Sequence, residues 1–271
     1  MFEALAHEFM QNALLAGILA GIVCGMIGSL VVVNRQVFLA GGIAHSAYGG
    51  IGLAFFFGLP VMPCAMGFTL FASAIMAGVT LKNPQRSDTI IGVLWAAGMA
   101  LGIILLDITP GYNVDLMSYL FGSILTVPRS EIWIMVGLVI AIIIAITLFY
   151  REFLILAFDP EFARTQGVHV GLMHFVQLAM VALSVVMIIQ VVGLILVIAL
   201  LTIPPYIAGR TSRSLFSMMI QASLWGIVFC TAGMALSYTY NITTGAAIIA
   251  VATVTFFLVL AFDALKPKTR G

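Results

Sequence analysis

Apolar positions along the chain gather into long runs with few interruptions, at 13–33, 37–57, 61–81, 89–106, 132–149, 175–208, 214–239 and 243–262. Each is near or above the roughly 18–20 residues a helix needs to cross a bilayer core. The segment 172–208 is too long for one crossing and is read as two helices that turn near Gln190–Gly193. Segment 107–130 contains VDLMSYLFGSIL, which is too short to span and suits a re-entrant or interfacial helix buried against protein. The pattern predicts an all-α, polytopic integral membrane protein with eight or nine spans. No repeat, low-complexity stretch or soluble domain interrupts it, so 1–271 is read as one domain.

Charge fixes an expected orientation. Arg35, Lys82, Arg86, Arg151, Arg164, Arg210, Arg213, Lys266, Lys268 and Arg270 fall between alternate spans, and only Arg129 falls on the other side. The positive-inside rule then places the first span running inward and the C-terminus in the cytoplasm. The first twelve residues, MFEALAHEFMQN, carry two glutamates and no Lys or Arg, and no cleavage site follows. They are expected to precede a span that stays in the protein rather than to act as a signal peptide.

Composition agrees with the pattern. Hydrophobic residues make up 63% of the chain and charged residues 8%, against roughly a quarter charged in an average soluble domain. The net charge of +1 gives no long-range pull toward nucleic acid. Cys24, Cys64 and Cys230 are far apart and form no CxxC pair, so neither a disulfide framework nor a zinc ribbon is indicated.

Against this apolar background the stretch GGIAHSAYGGIG, 41–52, carries His45, the only titratable Asp, Glu, Lys, Arg or His deep in a predicted span. On a helix Gly41, His45 and Gly49 share one face, with Gly42, Ser46 and Gly50 beside them. That spacing allows two readings. Glycines can let two helices approach while the imidazole bonds across the contact. Alternatively, the bare face is a narrow path lined by Gly41, His45, Ser46 and Gly49, with His45 as a transient metal ligand, because ionisable residues inside membranes tend to be functional.

A second motif, FDPEFARTQGVHVG at 158–171, lies in the longest expected cytoplasmic loop. Asp159 is a good N-cap, Pro160 suits the first helical position, Glu161 complements the helix dipole, and Gly167 can take the left-handed closing conformation. They bracket a helix over 160–166 that presents Phe162, either as an ordinary interfacial linker or as a dock for a soluble motor domain. Pro204 and Pro205 should break helical hydrogen bonding near the end of VVGLILVIALLTIPPYIAGR, 191–210. The chain has no GxxxxGK[ST] phosphate loop and no HExxH, GxSxG or SxxK pattern, so ATP binding through that loop and intramembrane hydrolysis have no candidate residues.

Taken together, AHSAYGG in the second span, VDLMSYLFGSIL, DPEFARTQG, VVGLILVIALLTIPPYIAG and TTGAAI resemble the membrane permeases of bacterial ABC importers for zinc, manganese and iron. The similarity runs over nearly the whole chain. It implies a non-enzymatic transport subunit in the bacterial cytoplasmic membrane, without an intrinsic cofactor and with a divalent metal ion as cargo. It also implies a permease homodimer, two cytoplasmic ATP-binding subunits and an extracytoplasmic metal-binding protein. By the same resemblance 160–166 is the coupling helix, with Glu161 and Phe162 facing the ATPase. Many members carry an aspartate four residues before the histidine, where this chain has Gly41. A metal chelate or another small nutrient is the alternative cargo, and an ATP-independent secondary transporter the alternative class.

Overall fold

The computed structural model describes residues 8–82, 87–109, 127–194 and 197–265 together with Gly122 and Ile124, the side chains of Ser87 and Gln190 aside. Among them are eleven helices: α1 (Glu8–Val33), α2 (Val37–Phe57), α3 (Val61–Lys82), α4 (Ser87–Asp107), α5 (Arg129–Leu148), α6 (Tyr150–Phe158), α7 (Pro160–Thr165), α8 (Val170–Val192), α9 (Val197–Gly209), α10 (Leu215–Tyr240) and α11 (Thr244–Leu265). Eight of these, α1–α5, α8, α10 and α11, are long and apolar enough to cross a membrane. The protein is an all-α, multi-pass membrane protein.

The expected turn near Gln190–Gly193 is present, and Gly193 makes it with φ 85°. The helix beyond that turn is not a full ninth span. Helix α9 has 13 residues, which at 1.5 Å each reach about 20 Å, short of the roughly 30 Å hydrocarbon core. Pro204 and Pro205 lie within α9, which continues to Gly209. Pro205 has no N–H to offer the Leu201 carbonyl one turn back, and Gly28 of α1 packs against that carbonyl and the Pro205 ring. Most of VDLMSYLFGSIL lies outside the described residues. Its Gly122 has φ 68° and rests on the backbone of Val192 and Gly193, while Ile124 is fully buried.

Short turns make sequential spans antiparallel. The 34–36 turn, the end of α3, helices α6 and α7 and the 210–214 turn therefore share one end of the bundle. That end carries Arg35, Lys82, Arg151, Arg164, Arg210 and Arg213. Arg210 there pairs with Asp263 of α11 and lies 5.9 Å from the centre of the Tyr206 ring.

Small residues let the central helices approach closely, as expected where lipid removes the hydrophobic drive between helices. A Cβ on Gly226 of α10 would stand 2.7 Å from the Gly21 carbonyl oxygen of α1, and one on Gly52 of α2 would stand 2.6 Å from that of Gly102 in α4. Buried hydroxyls turn back onto their own helices: Ser29 donates to the Gly25 carbonyl at 2.6 Å, Thr69 to that of Ala65 at 2.8 Å and Ser184 to that of Met180 at 2.6 Å. With no water available, each such bond removes a polar group that hydrocarbon would penalise.

Candidate functional site

His45 sits near the middle of α2 and is half-buried. Its imidazole stacks on the indole of Trp95 from α4, with centroids 4.0 Å apart and planes 14° from parallel. Trp95 in turn leans on Phe38 at 6.1 Å, so an aromatic column runs down α2 from His45 toward the arginine-bearing end. Nδ1 of His45 is buried and has no hydrogen-bond partner among the described residues. An unpaired buried ring nitrogen costs about 1–3 kcal/mol, so the fold positions a lone pair or an N–H that it does not itself use.

The other sequence candidates separate around this ring. Gly41 faces α9, where a Cβ would stand 2.8 Å from Ile198 Cδ1. Ser46 is fully buried, its hydroxyl donates to the Ile43 carbonyl at 2.7 Å, and its backbone lies against Gly98 of α4. A Cβ on Gly49 would stand 2.6 Å from Phe68 Cζ of α3, and one on Gly50 2.7 Å from Ala65 Cα. Ser46, Gly49 and Gly50 thus belong to helix contacts with α3 and α4, and Gly42 is likewise covered by Ile91 and Met76. The glycines pack; the imidazole and its stacking partner remain as the chemically open feature. Among the described residues no three His, Cys, Asp or Glu side chains come together as a metal site. At the His45 level the described residues of one chain therefore supply one imidazole rather than a ligand cage.

At the arginine-bearing end, the 158–171 motif folds as its sequence predicts. Asp159 Oδ1 accepts from the backbone N–H groups of Glu161 at 2.9 Å and Phe162 at 3.1 Å, Pro160 opens α7, and Gly167 closes it with φ 79°. Ala163 is fully buried in a small core with Leu156, Val170 and Met173. This pins α7 with Glu161 and Phe162 outward, and Phe158 beside them is 83% exposed. Helix α8 begins five residues after α7 ends.

Several contacts were not anticipated from sequence. The Gln177 amide donates to Gln36 Oε1 at 2.8 Å, tying α8 to the residue just before α2. Thr80 Oγ1 and His174 Nε2 are 2.9 Å apart, tying α8 to α3. Trp95 was equally unmarked. The available signals were a glutamine near the start of an apolar run and an indole in a span built mostly of aliphatic residues.

Eight candidate spans, an imidazole with an unpartnered buried nitrogen midway along one of them and a capped helix that exposes Glu161 and Phe162 describe a multi-pass membrane protein with a polar feature inside the bundle. Residues 6–263 match the ABC 3 transport family, and the chain belongs to it. It is 52% identical over 262 residues to an uncharacterized membrane protein of Synechocystis sp., covering 97% of this chain and 93% of that one. It is 34% identical over 256 residues to the manganese transport system membrane protein MntC of Listeria monocytogenes, covering 94% and 91%. Among solved structures, PsaBC from Streptococcus pneumoniae in complex with Fab is similar with a TM-score of 0.86 and 32% identity, covering 95% of this chain and 93% of that one.

Proposed function

We propose that this chain is the membrane-spanning subunit of an ATP-binding-cassette importer that moves a divalent metal ion into the cytoplasm, and that His45 touches the ion in transit. The buried, unpartnered Nδ1 of His45 carries the reading, because a neutral imidazole nitrogen suits a divalent transition metal. The names of the manganese systems among its relatives favour manganese over zinc or iron. Manganese prefers oxygen donors, and Gly41 supplies no carboxylate. The ion is then held loosely, with its remaining ligands coming from water, main-chain carbonyls or the second copy of a homodimer. Loose holding suits a conduit, since the ion must leave, and selectivity falls to an extracytoplasmic metal-binding protein.

Energy comes from a pair of cytoplasmic ATP-binding subunits docked on α7. Phe162 and Glu161 face outward for that contact. Movement of α7 passes to α8 through the short 166–169 link. From α8 it reaches α2 through the Gln177–Gln36 bond and α3 through the His174–Thr80 bond. Two global states biased by nucleotide would then expose the His45 region alternately.

His45→Ala tests the reading in cells that depend on this system for manganese. Uptake should fall at least tenfold while membrane levels of the protein and copurification of the ATPase stay normal. Normal uptake would reduce His45 to a packing residue.

A further inference from the structure

Below the aromatic column, a cavity of about 180 Å³ opens between α2, α3, α4 and α8. Its polar wall is Arg35, Gln36, Thr80, Asp88 and His174. Phe38 also lines it, and Phe38 contacts Trp95, the stacking partner of His45. The cavity therefore lies at the arginine-bearing end of the aromatic column that begins at His45. We infer that it is a second cation station, which takes the divalent metal ion from the His45 level before release. The inference rests on the cargo reading proposed above.

The chemistry of His174 supports a ligand role. Thr80 has one hydroxyl proton, and its oxygen lies 2.8 Å from the Met76 carbonyl and 3.3 Å from that of Ala77, so the proton is engaged within α3. At 2.9 Å from His174, the Thr80 oxygen accepts, and Nε2–H donates. That bond fixes the tautomer with the lone pair on Nδ1. Metal-binding histidines are held in the same way, by giving the other ring N–H to an oxygen. Asp88 is exposed and pairs with no cation among the described residues, leaving its carboxylate as an oxygen donor on the same wall. Thr80 holds the ring rather than the ion.

Arg35 makes the station a brief stop. Its guanidinium lines the same cavity, and a fixed positive charge there raises the free energy of a bound cation. Arg35 also holds a left-handed backbone conformation with φ 57°, which is uncommon for a residue other than glycine, asparagine or aspartate. The 34–36 turn that keeps it there is pinned to α8 by the Gln36–Gln177 bond.

The test is a titration of the purified permease in detergent with Mn²⁺ alone, following the electron paramagnetic resonance signal of the free ion. The wild type should show two separable binding phases. His174→Gln, which keeps an N–H donor for Thr80, and Asp88→Asn should each weaken one phase at least tenfold and leave the other. His45→Ala should remove that other phase alone. Arg35→Asn, which tolerates the left-handed turn, should tighten the His174 phase several-fold. If His174→Gln leaves both phases unchanged, or the wild type shows a single phase that only His45→Ala removes, the station is overturned and the His45 reading stands. A single phase removed by His174→Gln but not by His45→Ala supports the cavity and overturns the role of His45. Absence of any Mn²⁺ binding by the wild type up to millimolar concentration also overturns the station, and uptake by the His45→Ala strain then decides the cargo reading separately.

Discussion

Gly98 and Gly92 lie on the same helix, α4, and replacing each with alanine isolates the cost of helix contact from everything else. A Cβ on Gly98 would stand 2.7 Å from Ser46 Cα and 3.1 Å from Ser46 Cβ, whereas one on Gly92 would meet nothing within 4 Å. Carbon atoms rest at about 3.5–4.0 Å, so α4 must withdraw from α2 by roughly 1 Å near Gly98. Two such backbones cannot yield by a rotamer change, and overpacking of this kind costs about 1–3 kcal/mol. Alanine gains about 0.8–1.0 kcal/mol over glycine in a helix interior, and that gain is common to both sites. The difference between the two variants should therefore be about 1–3 kcal/mol, with Gly92→Ala the more stable. Thermal unfolding in detergent, followed by size-exclusion fluorescence, measures it. Withdrawal of α4 also parts Trp95 from His45, so Gly98→Ala should relieve quenching of Trp95 and lower manganese uptake, and Gly92→Ala should do neither. Equal stability of the two variants would refute the claim that backbone contact sets the α2–α4 distance.

Other expectations rest on single contacts. Asp159→Ala removes both hydrogen bonds at the start of α7 and should destabilise that helix by about 0.5–2 kcal/mol, seen as faster amide hydrogen exchange over 161–165; unchanged exchange would show that the cap is idle. Phe162→Asp should abolish copurification with the ATPase, because an unpaired charge would enter the contact, and retention of the complex would remove α7 as the dock. Gly41→Asp places a carboxylate one turn from His45, and Ile198, whose flexible end is the obstacle, can rotate away. Mn²⁺ affinity at the His45 phase should rise at least tenfold, and no change would mean that the two side chains do not share a ligand. Gln177→Leu strands the half-buried Gln36 amide at a cost of about 1–3 kcal/mol, and adding Gln36→Leu should recover most of it, a coupling that a double-mutant cycle reads directly.

The spans were legible because their signal is additive: each apolar run repeats one message over some twenty residues, and the Lys and Arg positions mark alternate turns. The capped helix α7 was legible for a different reason. Asp159, Pro160 and Gly167 act on neighbouring backbone, so no long-range partner is needed to read them. The 172–208 segment was harder. Its length announced two helices, but the second, α9, has only 13 residues, and Gly122 from another segment packs on the Gly193 turn that separates it from α8.

At the candidate site, local composition singles out His45 and leaves its surroundings undecided. Helical spacing puts Gly41, His45, Ser46 and Gly49 near one another, but each step of four residues rotates the face by about 40°, and α3, α4 and α9 divide that arc among them. Which glycine packs and which stays open depends on where those helices stand, and no local rule contains that. The same holds for Trp95, Gln177 and His174, whose partners are 50, 141 and 94 residues away. Their shared position matters more than their separation. Gln177 and His174 lie three residues apart on α8, one turn, and each reaches a different helix at the arginine-bearing end. A shift of α8 alone therefore strains both bonds together, so the span that follows the proposed motor dock is also the one hydrogen-bonded to the entrance of α2 and to the wall of the polar cavity.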